Sequence, residues 1–252
     1  MNDAFLEKQG PLLTVMMQCA APETVIYRVR NALAIGADAF GLQVESLKPE
    51  FRTEEVYQRL FSEMRGKPCY VTNYRSGYNR GKTDEVLGEE LLYLASQSHL
   101  LCDVMGDLYC PHPEELTEDA AAIEKQMKLI DQLHSMGSEV LMSSHILKFT
   151  PAERVLEVAL EQKRRGADII KIVTGADTME QQIENLRITN LLKTELGAPF
   201  LFLSGGECSI HRRLGIKLGC CMALCVYEHD ALSTATQPLL QTMKCIRDSI
   251  DF

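Results

Sequence analysis

Short unbroken apolar runs alternate along the chain with longer stretches in which apolar residues recur every three or four positions. The runs have the length and composition of strands buried on both faces, and the longer stretches have the spacing of amphipathic helices. Strands are predicted at Leu12–Gln18, Asp38–Val44, Cys69–Thr72 and Leu100–Val104, then from Val140 to His145, and at Asp168–Val173, Phe200–Leu203 and Cys220–Leu224. Helices are predicted between them at Ala21–Ile35, Thr53–Met64, Glu85–Ser96 and Glu114–Met136, from Thr150-Pro151 to near Gly166, and at Thr178–Leu196. A helix start follows the glycine-rich turn at Ser204-Gly205-Gly206, where backbone N–H groups and Arg212 or Arg213 could hold an anion, and a last helix runs over Thr236–Ile250. Gly36, Gly66, Gly137, Gly166 and Gly197 fall where successive helices should stop.

Strict alternation of eight strands with eight helices is the pattern of an α/β protein of the (β/α)8 TIM-barrel class. The alternative, a doubly wound open sheet, lacks its usual G-x-G-x-x-G fingerprint here. No linker-like composition or charge run divides the chain, so residues 1–252 are expected to form one catalytic domain.

Two ionisable residues interrupt the apolar pattern of adjacent strands. Lys171 lies between Ile170 and Ile172 in a strand without polar alternation, so its amine enters a covered layer. Burial favours the neutral amine, which can attack a carbonyl to form a Schiff base. His145 ends the preceding strand, on the barrel face where ligands bind. Either residue alone has a structural reading, a snorkelling lysine or a satisfied histidine, but the pair on neighbouring strands reads as an active site. The segment Asn73–Thr83 carries Arg75, Arg80 and Lys82 and suits an anionic substrate or a mobile lid.

Composition narrows the partners. A net charge of -9 disfavours nucleic acid and anionic membranes, and no run of about 18 apolar residues suits a membrane span. The polar start MNDAFLEKQG does not resemble a signal peptide, so a cytoplasmic location is expected. The nine cysteines include no C-x-x-C pair, and Cys220, Cys221 and Cys225 read as core residues, so no metal is expected.

With Ser144-His145 closing strand five and Asp168-Ile169-Ile170-Lys171-Ile172 forming strand six, the chain resembles the type I 3-dehydroquinate dehydratases of the shikimate pathway over nearly its whole length. The resemblance implies a Schiff-base hydro-lyase without cofactor, in which Lys171 forms an imine with the substrate ketone and His145 moves protons. It assigns substrate contacts to Arg75, Arg213, Ser233 and Gln237, and implies a homodimer, although no stretch marks an interface. Departures fall in the first half of the barrel. Gly41 and Gln43 stand where the family has a Glu-x-Arg, Met16 replaces a small polar residue, and Asn79 replaces the glutamate that pairs with the catalytic histidine. Asn79, Gln43 and Asp103 are therefore expected as supporting neighbours, with Asp103 compensating at His145 for the lost carboxylate.

The leading expectation is dehydration of a small anionic cyclic 3-keto hydroxy acid, 3-dehydroquinate or a close analogue. Carbon-carbon cleavage of another keto acid, as in class I aldolases, and a barrel that only binds a small carboxylate are the alternatives.

Overall fold

The computed structural model describes residues 2–250. Eight parallel strands form one sheet, in the order β7-β6-β5-β4-β3-β2-β1-β8, curled into a nearly closed barrel. Its first half comprises β1 (Leu12–Met17), α1 (Pro22–Ile35), β2 (Ala39–Gln43), α2 (Glu54–Glu63), β3 (Cys69–Thr72), α3 (Asp84–Gln97), β4 (Leu101–Met105) and α4 (Ala120–Ser135). The second half comprises β5 (Glu139–His145), α5 (Ala152–Arg164), β6 (Ile169–Gly175), α6 (Met179–Glu195), β7 (Phe200–Gly205), α7 (His211–Leu218), β8 (Met222–Cys225) and α8 (Leu240–Ser249). The seam between β7 and β8 is spanned by the Cys221 N–H, which donates to the Phe200 carbonyl at 2.9 Å.

The alternating pattern thus folds as read; strand bounds shift by one or two residues, and the larger differences lie at helix starts. The expected helix from Glu114 opens instead at Ala120, because the Asp119 side chain caps the Ala122 N–H at 2.8 Å. Residues 106–119 are thereby released as a loop over the top of the barrel. The last helix begins at Leu240 rather than Thr236, which leaves Thr234–Gln237 beside the barrel mouth.

Helix ends follow elementary capping rules. Gly36 ends α1 at φ +107, a conformation that costs glycine little, and its N–H reaches the Ala32 and Leu33 carbonyls. Apart from end residues such as His145, the strands are buried on both faces, as parallel strands wrapped in helices must be. On β6, Ile170 and Ile172 pack outward into the helix layer while Lys171 and Val173 turn inward. The parallel register puts Ser143 beside Lys171 and His145 beside Val173. From α5, the buried Gln162 amide donates to the Ser144 hydroxyl at 2.9 Å and the Lys171 carbonyl at 3.2 Å, fixing both strands at this level. Among the described residues no helix is long and apolar enough to cross a membrane.

Candidate active site

Lys171 is 3% exposed, and its amine sits in a polar nest inside the barrel. Nζ donates to the Tyr70 hydroxyl at 2.9 Å and the Tyr74 hydroxyl at 2.6 Å, and lies 3.2 Å from Asp103 Oδ2. Both tyrosine hydroxyls also donate to that Asp103 oxygen, and Ser143 Oγ donates to the other at 2.5 Å. Burial, and then the Asp103 charge, hold both phenols well above their ordinary pKa of 10, so they are protonated donors. Burial alone led to the expectation of an uncharged amine. The structure instead puts a carboxylate in contact with Lys171, a buried ion pair completed by three hydroxyls. Asp103 therefore serves Lys171, and the expectation that it supports His145 is corrected.

His145 closes β5 at the rim of the same cavity. Its Nδ1 lies 2.7 Å from Glu115 Oε2, and its backbone N–H donates to the same oxygen at 2.8 Å. A carboxylate on Nδ1 selects the tautomer that leaves Nε2 free as the base. Burial by itself would raise the Glu115 pKa, but the His145 hydrogen bond and charge outweigh it, and the carboxyl ends below its ordinary range. Glu115 adopts φ +46, the left-handed region that non-glycine residues rarely occupy. Its carbonyl accepts from Ser144 Oγ at 2.7 Å, and the backbone packs so closely that a Cβ on Gly106 would lie 2.4 Å from that oxygen. Arg165, buried on the α5 side, donates to the Gly106 and Thr117 carbonyls at 3.0 and 2.6 Å and so staples the loop at both ends.

The cavity has a volume of about 200 Å³. Its polar lining includes Lys171, His145, Tyr74, Gln43, Arg212 and Gln237, and its apolar wall includes Met16, Leu147 and Val173. Arg212 is the telling member. Its Nε donates to the Ser204 carbonyl at 2.8 Å, no carboxylate pairs with it among the described residues, and burial lowers its pKa to about 10. A desolvated guanidinium without a counter-charge is a receptor for an anion. A larger cleft, about 590 Å³, opens at the opposite end of the barrel between α2, α3 and α4, but among the described residues the only titratable side chain lining it is His99.

The other residues singled out in the sequence are placed as follows. Arg213 turns to the Ser209 carbonyl and hydroxyl, at 3.2 and 3.3 Å, and does not line the cavity; Arg212 takes that place. Ser233 bonds the backbone of Asp230, and Thr234 lines the cavity in its stead. Gln237 lines it, with Oε1 accepting from the Thr234 N–H at 3.2 Å. Arg75 is spent on Asp84 and Asp107, at 2.7 Å each, and stands outside the lining. Asn79 makes no hydrogen bond to His145. It accepts from Arg52 at 2.6 Å and donates to Asn73 Oδ1 and the Tyr74 carbonyl at 2.8 Å each. The segment expected to be a mobile basic lid is thus tied down by internal bonds, and two of its charges, Arg75 and Lys82, are paired with carboxylates within the protein while Arg80 is exposed. Gln43 lines the cavity and donates to the buried Glu45 at 3.4 Å.

Three functional side chains escaped the sequence reading: Tyr70, Tyr74 and Glu115. Tyr70 carried a signal, since an inward tyrosine on a barrel strand needs a hydroxyl partner. Asp119 before Ala-Ala-Ala carried another, a cap that would have freed Glu115 from the helix.

Comparisons with known proteins bear on the family and the fold. The family model described as type I 3-dehydroquinase matches residues 13–250. Among solved structures, type I 3-dehydroquinate dehydratase from Clostridium difficile, carrying covalently modified comenic acid, superposes with a TM-score of 0.79 at 16% identity over 96% of this chain and 92% of that one. The 3-dehydroquinate dehydratases of Enterococcus faecalis (TM-score 0.76, 17% identity, 97% of this chain and 96% of that one) and Aquifex aeolicus (0.71, 20%, 94% and 97%) are similar in the same way. At these identities the structural likeness speaks for the fold. No curated protein sequence matches the chain.

Proposed function

The chain belongs to the type I 3-dehydroquinase family, whose members are Schiff-base dehydratases, and on that premise we propose that Lys171 and His145 dehydrate a cyclic 3-keto hydroxy acid, 3-dehydroquinate or a close analogue. One observation supports this most strongly: the Lys171 amine and the His145 imidazole line one cavity, and each has a separate carboxylate in contact.

The Lys171 amine, after giving a proton to its surroundings, adds to the ketone and water leaves to give an iminium. That iminium draws electrons from the adjacent carbon and acidifies its C–H, so it supplies the electron sink for the elimination. His145 Nε2, with Nδ1 held by Glu115, removes the C–H proton and returns one to the departing hydroxyl. Arg212 holds the substrate carboxylate and fixes the ketone over Nζ. Hydrolysis of the product imine regenerates the amine.

The lining also bears on which substrate fits. Arg75 is neutralised by two aspartates, so Arg212 is left as the anchor for a single carboxylate. Gly41 and Met16 are coupled: a Cβ at position 41 would lie 2.2 Å from the Met16 Sδ, so the thioether fills the space of a strand-two side chain. This wall favours a substrate that presents carbon there rather than a hydroxyl.

The place in the shikimate pathway follows from the family. We read residues 1–252 as one catalytic domain, acting in the cytoplasm as a homodimer, readings supported by the acidic surface and the family's habit of pairing. The test is direct: added 3-dehydroquinate should give the ultraviolet absorbance of a conjugated enone, and Lys171→Met should abolish it. Release of two carbonyl fragments without that absorbance would favour the aldolase alternative, and binding without turnover would favour the binding alternative.

A further inference from the structure

Imine formation poses a proton problem that the His145 geometry does not address. Converting an ammonium and a ketone into an iminium and water moves two protons from nitrogen to oxygen. Among the described residues, the side chains hydrogen-bonded to Lys171 Nζ are Tyr70, Tyr74 and Asp103; His145 is not one of them. His145 has Nδ1 committed to Glu115, and its ring meets Tyr74 edge-on with centroids 5.3 Å apart.

We propose that Tyr74 is a catalytic residue of the imine-forming and imine-hydrolysing steps, carrying protons between Lys171 Nζ and the substrate oxygen, while His145 serves the C–H. This rests on the imine reading of Lys171 given above. The two tyrosines differ in position. Tyr70 is completely buried on β3, whereas Tyr74 is partly exposed just beyond that strand and stands between Lys171 and the His145 ring. Its hydroxyl has the shortest hydrogen bond to Nζ, 2.6 Å, and also donates to Asp103. An oxygen on the carbon attached to Nζ is two bonds away from that nitrogen, within reach of the same hydroxyl.

The protons balance as follows. Asp103 accepts one proton from the Lys171 ammonium, which leaves a neutral amine. The amine forms the C–N bond, the carbonyl π pair moves to oxygen, and Tyr74 gives that oxygen its proton while taking one from the new N–H. The Asp103 proton then passes through Tyr74 to the carbinolamine hydroxyl. The C–O bond breaks, water departs, the nitrogen lone pair makes the iminium, and both Tyr74 and Asp103 return to their starting states.

The test is rapid-quench borohydride trapping with 3-dehydroquinate as the probe, read as adduct mass on Lys171. Tyr74→Phe should trap about 10²-fold or more slowly than wild type. Tyr70→Phe, which removes a hydroxyl bonded to the same lysine and carboxylate, should slow trapping only a few-fold. His145→Gln should trap near the wild-type rate yet release no enone. Thermal melts establish that each variant is folded. Wild-type trapping in Tyr74→Phe, equal losses at positions 70 and 74, or loss of trapping in His145→Gln would each overturn the proposal while leaving the imine reading intact. If Tyr74→Phe does not fold, the His145→Gln result decides alone. Absence of an adduct in wild type would overturn the imine reading and the proposal together.

Discussion

Glu115 holds His145 twice through one oxygen, at Nδ1 and at the backbone N–H, from a residue whose own backbone is left-handed. Such strain persists only where the surroundings over-determine it. The carboxylate that orients the base thus comes from the loop after β4, and Asn79 on the loop after β3 has become a structural tie.

Glu115→Gln should lower kcat by about 10–100-fold with a small change in KM, because a neutral amide no longer favours the imidazolium that forms in the transition state. Asn79→Ala should loosen its loop and lower the melting temperature without altering the pH profile of kcat. Steady-state kinetics across pH separate the two.

Arg212→Met should lower kcat/KM by about 10–100-fold through loss of a charged hydrogen bond to the carboxylate. Arg213→Met should leave it within a few-fold of wild type, since that side chain bonds Ser209 outside the cavity. The pair is best compared in parallel assays at saturating and limiting substrate.

Gly41→Ala should destabilise the barrel by about 1–3 kcal/mol, because its Cβ meets the buried Met16 thioether. In a Met16→Ala background the added cost should largely vanish. A double-mutant cycle by denaturant unfolding measures the coupling, and additive losses would contradict the packing account.

His211 is fully buried, with Nε2 2.6 Å from the Thr189 hydroxyl and Nδ1 unpartnered, and burial lowers its pKa from the ordinary 6.5 to about 4. Between those values the unfolded chain binds a proton that the native state excludes. Stability should therefore fall as pH drops from about 6.5 to 4, by about 3 kcal/mol in all. His211→Gln should flatten that slope in urea unfolding curves measured across the window.

Arg165 gives a test of the loop that presents Glu115. Arg165→Met leaves the Thr117 carbonyl and Gln126 Oε1 without their donor and removes one of several donors from the Gly106 carbonyl and Glu161. Stability should fall by about 1–3 kcal/mol, and hydrogen exchange should quicken across residues 106–119.

The barrel was legible because parallel strands buried on both faces announce themselves as apolar runs, and Lys171 stood out by interrupting one. His145 stood out by ending the strand before it. Glu115 was hidden for two reasons: its contact spans 30 residues of sequence, and helical spacing extended α4 back across a segment whose true start is the Asp119 cap. The residues alone leave Arg212 and Arg213 open, and the family resemblance selects Arg213; neighbouring residues on a helix point about 100° apart, so a shift of one position changes which side chain faces the cavity. The Tyr70, Tyr74 and Asp103 cluster depends on how far side chains from β3, the loop after it and β4 reach across the barrel, which no local pattern records.

Reduction with borohydride during turnover of 3-dehydroquinate, followed by peptide mass spectrometry, tests the central claim most directly. A single covalent adduct on Lys171, absent from Lys171→Met, is the result this account predicts. Turnover without any adduct, or an adduct on another lysine that survives in Lys171→Met, would contradict it.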